Sequence, residues 1–215
     1  MSLRTDADLQ NYLDDEFAWR LQEIAWLKTA VRESEGNRQR MLMRAGLPLL
    51  YAHWEGFVKA GAEGMLRFVS SGRRRYRELA PCFATHGLAD KLDLLANSKK
   101  EHVRVAALEF LISKMNDRAT FSWRGRANAG GNLNYERFRS IAAAVGVDTS
   151  RYETREHFVD VRLLKRRNEI AHGSWMEIDE SGFTDVADGV LLLLRWFKTD
   201  LENSVAQKSY LAEPS

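Results

Sequence analysis

Cysteine is nearly missing from this chain of 215 residues. Cys82 stands alone, so no internal disulfide can form and no cysteine-based zinc cluster is available. The five histidines are scattered, without the paired helical spacing of a metal site, and the reading therefore includes no metal and no cofactor. No apolar run reaches the ~18 residues of a membrane-spanning helix, and no segment resembles a signal peptide, so a cytoplasmic protein without a membrane partner is expected. Charge of one sign is scarce too. With 32 Lys and Arg against 30 Asp and Glu, the net charge is +2, and any nucleic acid would have to be held by local patches. Internal repeats, low-complexity tracts and alternating strand patterns are also absent.

What remains is the composition of a globular protein, 45% hydrophobic and 29% charged, long enough to bury a core as one domain. Apolar residues recur at three- and four-residue spacing, which predicts an all-α fold, an antiparallel helical bundle with additional short helices. The domain spans residues 1–205, and a flexible tail is expected at 206–215. A first helix runs from Asp6 to about Ser34, broken by Glu35, Gly36 and Asn37. The second, from about Arg38 to Ser71, is apolar around much of its circumference and should be the most buried; Pro48 predicts a kink near Arg44 to Leu47.

Arg73, Arg74, Arg75 and Arg77 form a basic run that opens a shorter helical region, with helices expected at Gly87 to Ala96 and His102 to Met115. Residues 117–133 are a long Gly-rich loop in which Trp123, beside Arg124 and Arg126, could stack on an unpaired base of a nucleic acid or simply anchor the loop. Asn134 to Val145 is a short helix, Asp148 to Thr154 a loop, and Ser174 to Thr184 a polar turn with a brief extended piece at Trp175 to Ile178. Asp185 to Val205 closes the fold.

Chemistry concentrates in Leu163 to Gly173, LLKRRNEIAHG. On a wheel of about 100° per residue, Phe158, Val161, Leu163, Leu164, Ile170 and Ala171 share one apolar arc, and Arg162, Arg166 and Glu169 face away. Arg167, Asn168 and His172 fall inside the apolar arc, where polar groups need a partner or a cleft. Asn168 and His172 are four apart and stack on one face, and Arg167 can converge on them through its long side chain. Gly173 should cap the helix, placing His172 against its negative end. A histidine beside a fixed cation and an amide suits acid–base work on a phosphate. The bland reading is that these are satisfied core groups.

RRNEIAHG resembles the Arg-x(4 to 6)-His motif of the HEPN superfamily, including the polar residue after the Arg and the small one after the His. LLYAHWEGFVKA, Leu49 to Ala60, looks like the second helix of the MAE_28990/MAE_18760-like HEPN subfamily. Glu55 and Lys59 there match part of a Glu-x3-Lys-Arg pattern, with Ala60 in place of the Arg. Their bland reading is a surface ion pair at i,i+4, and His53 beside them reads as a packed histidine.

The resemblance implies a HEPN-like four-helix core and an endoribonuclease that cuts without metal by 2′-OH attack, leaving a 2′,3′-cyclic phosphate and a 5′-OH. It implies a homodimer whose motif helices meet around one composite cleft, and a toxin or antiphage effector with a cognate antitoxin or defence partner. Arg167, Asn168 and His172 would be the catalytic set, Glu55 and Lys59 its support. Arg162, Lys165 and Arg166 would contact RNA phosphates. Two other readings stand beside it: a non-catalytic HEPN dimer that binds RNA or protein, and a helical scaffold in which Arg167 and His172 bond structurally at a dimer seam.

Overall fold

Thr5 starts the first helix by a reciprocal cap: its hydroxyl accepts from the Asp8 N–H at 3.1 Å, and the Asp8 carboxylate accepts from the Thr5 N–H at 3.0 Å. The resulting α1, Asp6–Arg32, packs antiparallel on α2, Gly36–Ser71, in the computed structural model, which describes residues 3–121 and 132–212. α2 is the central element, as its apolar circumference predicts. Leu47, Leu50, Trp54, Phe57, Val58 and Met65 are all buried, and it touches α1, the closing helix α7 (Glu180–Ala206) and the motif region. Pro48 sits inside α2 without ending it, and the missing N–H leaves the Arg44 carbonyl without its intrahelical donor. A Cβ at Gly46 would come within 2.8 Å of the Phe183 ring, and one at Gly61 within 2.8 Å of Leu201. Small residues at these points let α7, Glu180–Ala206, lie close against α2.

Several expected boundaries move for local reasons. α3 is Pro81–Asn97, six residues longer at its start than the spacing suggests, because Pro81 at the first helical position already has helical φ. α4, Glu101–Lys114, folds back on α3. The basic run does not open a helix. Arg73 adopts φ 55°, and the chain then runs beside the exit of α4, with Tyr76 N–H on the Asp117 carbonyl and Ala119 N–H on the Arg74 carbonyl. Only a single 3-10 turn, Tyr76–Glu78, follows. α5, Tyr135–Ala144, is capped by Asn134.

Within the stretch Asp148 to Thr154, expected as loop, a 3-10 helix, Ser150–Arg155, begins and buries Tyr152, whose hydroxyl donates to Asp200 on α7. α7 begins at Glu180 rather than Asp185 because Asp179 accepts from the Gly182 N–H at 2.8 Å and caps it. Trp175 to Ile178 form no strand pairing among the described residues. Where the sequence reads as a loose tail, Tyr210 and Ala212 are tied back to the 3-10 turn region: the Ala80 N–H donates to the Tyr210 carbonyl, and the Ala212 N–H to that of Glu78. No helix among the described residues is long and apolar enough to cross a membrane.

Candidate functional site

The motif segment is not one regular α-helix. Phe158–Lys165 is π-helical, and only from Arg166 to Ala171, here α6, does the chain tighten to α-helical pitch. In a π turn each residue advances less around the axis, so Val159 and Leu163, one and five positions after Phe158, join it as the buried set. Val161 is 39% exposed and Ala171 is exposed as well, so the single apolar arc drawn at 100° per residue does not exist. Two contacts hold the widened turn. Phe158 lies against Gly189 of α7, where a Cβ would stand 2.4 Å from the ring, and the Asp160 carboxylate accepts from the Tyr135 N–H at 2.7 Å.

The end of α6 follows the expected cap. Gly173 has φ 80°, its N–H donates to the Ile170 carbonyl at 3.0 Å, and the Ser174 N–H reaches back to the Glu169 carbonyl at 2.9 Å. This Schellman geometry ends the helix at His172. The imidazole is thereby held out at the helix end, exposed, one turn beyond Asn168.

Arg167 and Asn168 do come together. Arg167 Nη1 donates to Asn168 Oδ1 and to Asn132 Oδ1, both at 2.8 Å, and Asn132 Nδ2 donates to Asn168 Oδ1 at 3.3 Å. The Arg167 guanidinium also lies 4.8 Å from the centre of the Tyr51 ring. His172 makes no side-chain bond to this cluster among the described residues, so the expected three-residue group is a pair plus a neighbouring exposed imidazole. Asn132 and Tyr51 are the members that reasoning from the motif missed. They lie 35 and 116 positions from Arg167 in the chain, and the signal available for Tyr51 was its place in the helix that also carries Glu55 and Lys59.

Tyr51 is buried, and its hydroxyl oxygen accepts from the Leu133 N–H at 2.5 Å. Burial pushes its pKa up to about 12; the Glu55 carboxylate adds to the rise, while the Leu133 N–H and the Arg167 charge oppose it. The phenol therefore stays protonated under ordinary conditions. Glu55 and Lys59 form the i,i+4 ion pair of their bland reading at 2.6 Å, and Glu55 touches the site at Tyr51. His53, also on α2, is a packed histidine, 2% exposed. Its Nε2 lies 2.9 Å from Glu23 Oε2 without hydrogen-bond alignment, and burial lowers its pKa against the pull of that carboxylate.

The expected phosphate contacts scatter. Arg162 pairs with Asp185 at 3.5 Å, Lys165 lies 4.0 Å from Glu169, and Arg166 turns away toward Arg40 and Arg44 of α2. Arg124 and Arg126 lie outside the described residues.

A helical bundle that presents an Arg-Asn-x3-His segment at the capped end of a short helix, braced by a central helix, has the organisation of a HEPN domain. The chain belongs to the HEPN_MAE_28990/-like HEPN family, whose model matches residues 9–210. That membership points to a nuclease or an RNA-binding module. No curated protein and no solved structure matches the chain.

Proposed function

We propose that the protein is a metal-independent endoribonuclease of the HEPN type, acting as a homodimer. The observation that carries the reading is the braced Arg167–Asn168 pair with an exposed histidine one turn on, at a capped helix end. Arg167 is fixed by Asn132, Asn168 and the Tyr51 ring rather than by a carboxylate, so its charge is not neutralised by an ion pair among the described residues.

In the proposed reaction the ribose 2′-OH loses its proton to a histidine and its oxygen attacks the adjacent phosphorus. The P–O5′ bond breaks as the new P–O2′ bond forms. The 5′ oxygen leaves with a proton from a protonated acid, and the products are a 2′,3′-cyclic phosphate and a 5′-OH. His172 moves the proton, Arg167 offsets charge on the non-bridging oxygens, and Asn168 orients Arg167. DNA lacks the attacking hydroxyl and is not a substrate. Arg162 and Lys165 sit along the same segment and would contact phosphates after exchanging their present partners. Family membership alone supports a toxin or antiphage role with a cognate partner.

Purified wild type and His172→Ala, incubated with RNA in excess EDTA, test the reading. Wild type should leave cyclic phosphate ends, and the variant, with an unchanged melting temperature because His172 is exposed, should be slower by about 10² or more. Equal cleavage by both proteins, or none by wild type, overturns the assignment and favours an RNA-binding or protein-interaction module.

A further inference from the structure

Beside α6 a cleft of about 480 Å³ opens between the first turns of α2 and residues 174–179. Its size is that of a small-ligand site, and its lining is unusual. Arg40 stands on the rim, and Arg44 and Arg166 reach in from α2 and α6. Arg44 Nε and Arg166 Nη1 are both buried without an acceptor among the described residues. Those two atoms are closed to solvent, but neither guanidinium, nor that of Arg40, forms an ion pair with a carboxylate among the described residues, so the cleft carries positive charge that an anion from outside can meet through the remaining N–H groups.

The second feature is Trp175, 66% exposed, with the Arg44 guanidinium 4.6 Å from its ring centre. Met176 and Ile178 add apolar surface. Two acids also line the cleft: Asp179 is committed to capping α7, and Glu177 is exposed. The cleft adjoins the cleavage segment at both ends. Arg166 precedes Arg167, and Arg44 Nη2 donates to the carbonyl of Ser174, two residues after His172, at 3.4 Å.

We propose that this cleft is a subsite for one unpaired nucleotide of single-stranded RNA, its phosphate held by Arg40, Arg44 and Arg166 and its base stacked at Trp175. The proposal rests on the reading of this protein as one that acts on RNA. Guanidinium groups match phosphate oxygens, and an exposed indole beside them offers a face for any base. The bound nucleotide is the neighbour of the one cut at Arg167 and His172, so the subsite sets affinity and single-strand preference rather than the chemical step.

Fluorescence anisotropy with a labelled single-stranded RNA of about 12 nucleotides tests this, in a His172→Ala background so that the RNA survives. Arg44→Ala and Arg166→Ala should each weaken binding about ten-fold and lower the slope of log Kd against log salt by about 0.7. Trp175→Ala should weaken it about five-fold or more with an unchanged melting temperature, and Trp175→Phe should keep most of the affinity. Arg139→Ala, an exposed arginine on α5 outside the cleft, should change little. If Arg44→Ala melts early, Arg166→Ala and Trp175→Ala carry the test.

Unchanged affinity in these variants, an absence of RNA binding by the parent, or a change in oligomer mass in place of a change in affinity overturns the subsite. The two proposals fail separately. RNA held through the cleft but left whole by wild type sinks the nuclease and spares the subsite; cleavage with the same KM in Trp175→Ala and Arg44→Ala does the reverse.

Discussion

Arg167 is held in place by neutral groups: two amide oxygens and an aromatic face. A carboxylate would fix it as firmly but would cancel the charge that a phosphate needs, whereas amides orient the guanidinium and leave its charge intact. Tyr51 contributes the face and does a second job, since its hydroxyl is the acceptor for the buried Leu133 N–H. Tyr51→Phe would keep the ring under Arg167 and orphan that N–H. The expected loss is about 1–3 kcal/mol of stability, read as a lower midpoint in denaturant at unchanged slope. Because burial keeps the phenol protonated up to about pH 12, the loss should be the same at pH 6 and pH 8. RNA cleavage per folded molecule should change less than it does in Arg167→Ala. An unchanged midpoint would mean that the Leu133 N–H finds water instead.

At the scale of elements, α1, α2 and α7 were legible because a regular 3.6-residue repeat over 27 or more residues leaves few alternatives. The capped end at Gly173 was legible for the same reason that Schellman ends recur, a glycine in the left-handed region. The motif segment was misread because a helical wheel presupposes its own period. Phe158, Val159 and Leu163 suit a wider turn as well as a regular one, and the contacts that hold the wider turn come from elsewhere in the chain, Gly189 26 residues beyond Leu163 and Tyr135 25 residues before Asp160. The partners Asn132 and Tyr51 were illegible for a related reason: nothing local to RRNEIAHG specifies which distant side chains fill its surroundings.

Gly189 gives this scale its prediction. A methyl group there would overlap the Phe158 ring, which is backed by core, at 2.4 Å, whereas at Gly56 the nearest atom is the far end of the Arg20 side chain, 3.1 Å away. Gly189→Ala should therefore cost about 1–3 kcal/mol and displace the π turn, lowering cleavage together with the melting temperature. Gly56→Ala should be much milder in both. Equal effects of the two substitutions would show that the close approach at Phe158 is not what sets the geometry of the segment.

At the scale of the whole molecule, the motif helix is covered on one side only. No residue of α6 is buried, Ile170 is half-buried, and Ala171, His172 and Val161 face outward. Arg167 is drawn inward to Tyr51 while His172 is exposed, so in a single chain the cation and the proposed proton carrier do not converge. A two-fold contact between motif helices would bring the His172 of one protomer toward the Arg167 of the other, giving two equivalent mixed sites per dimer. Mixing two inactive variants distinguishes the arrangements. Arg167→Ala and His172→Ala, unfolded together in equal amounts and refolded, should form heterodimers as about half of all dimers, each with one intact mixed site of two. Activity should recover to about a quarter of wild type. Sites built within single protomers would recover none, because each chain would still lack one of its own groups, and the exposed flank of α6 would then need another explanation.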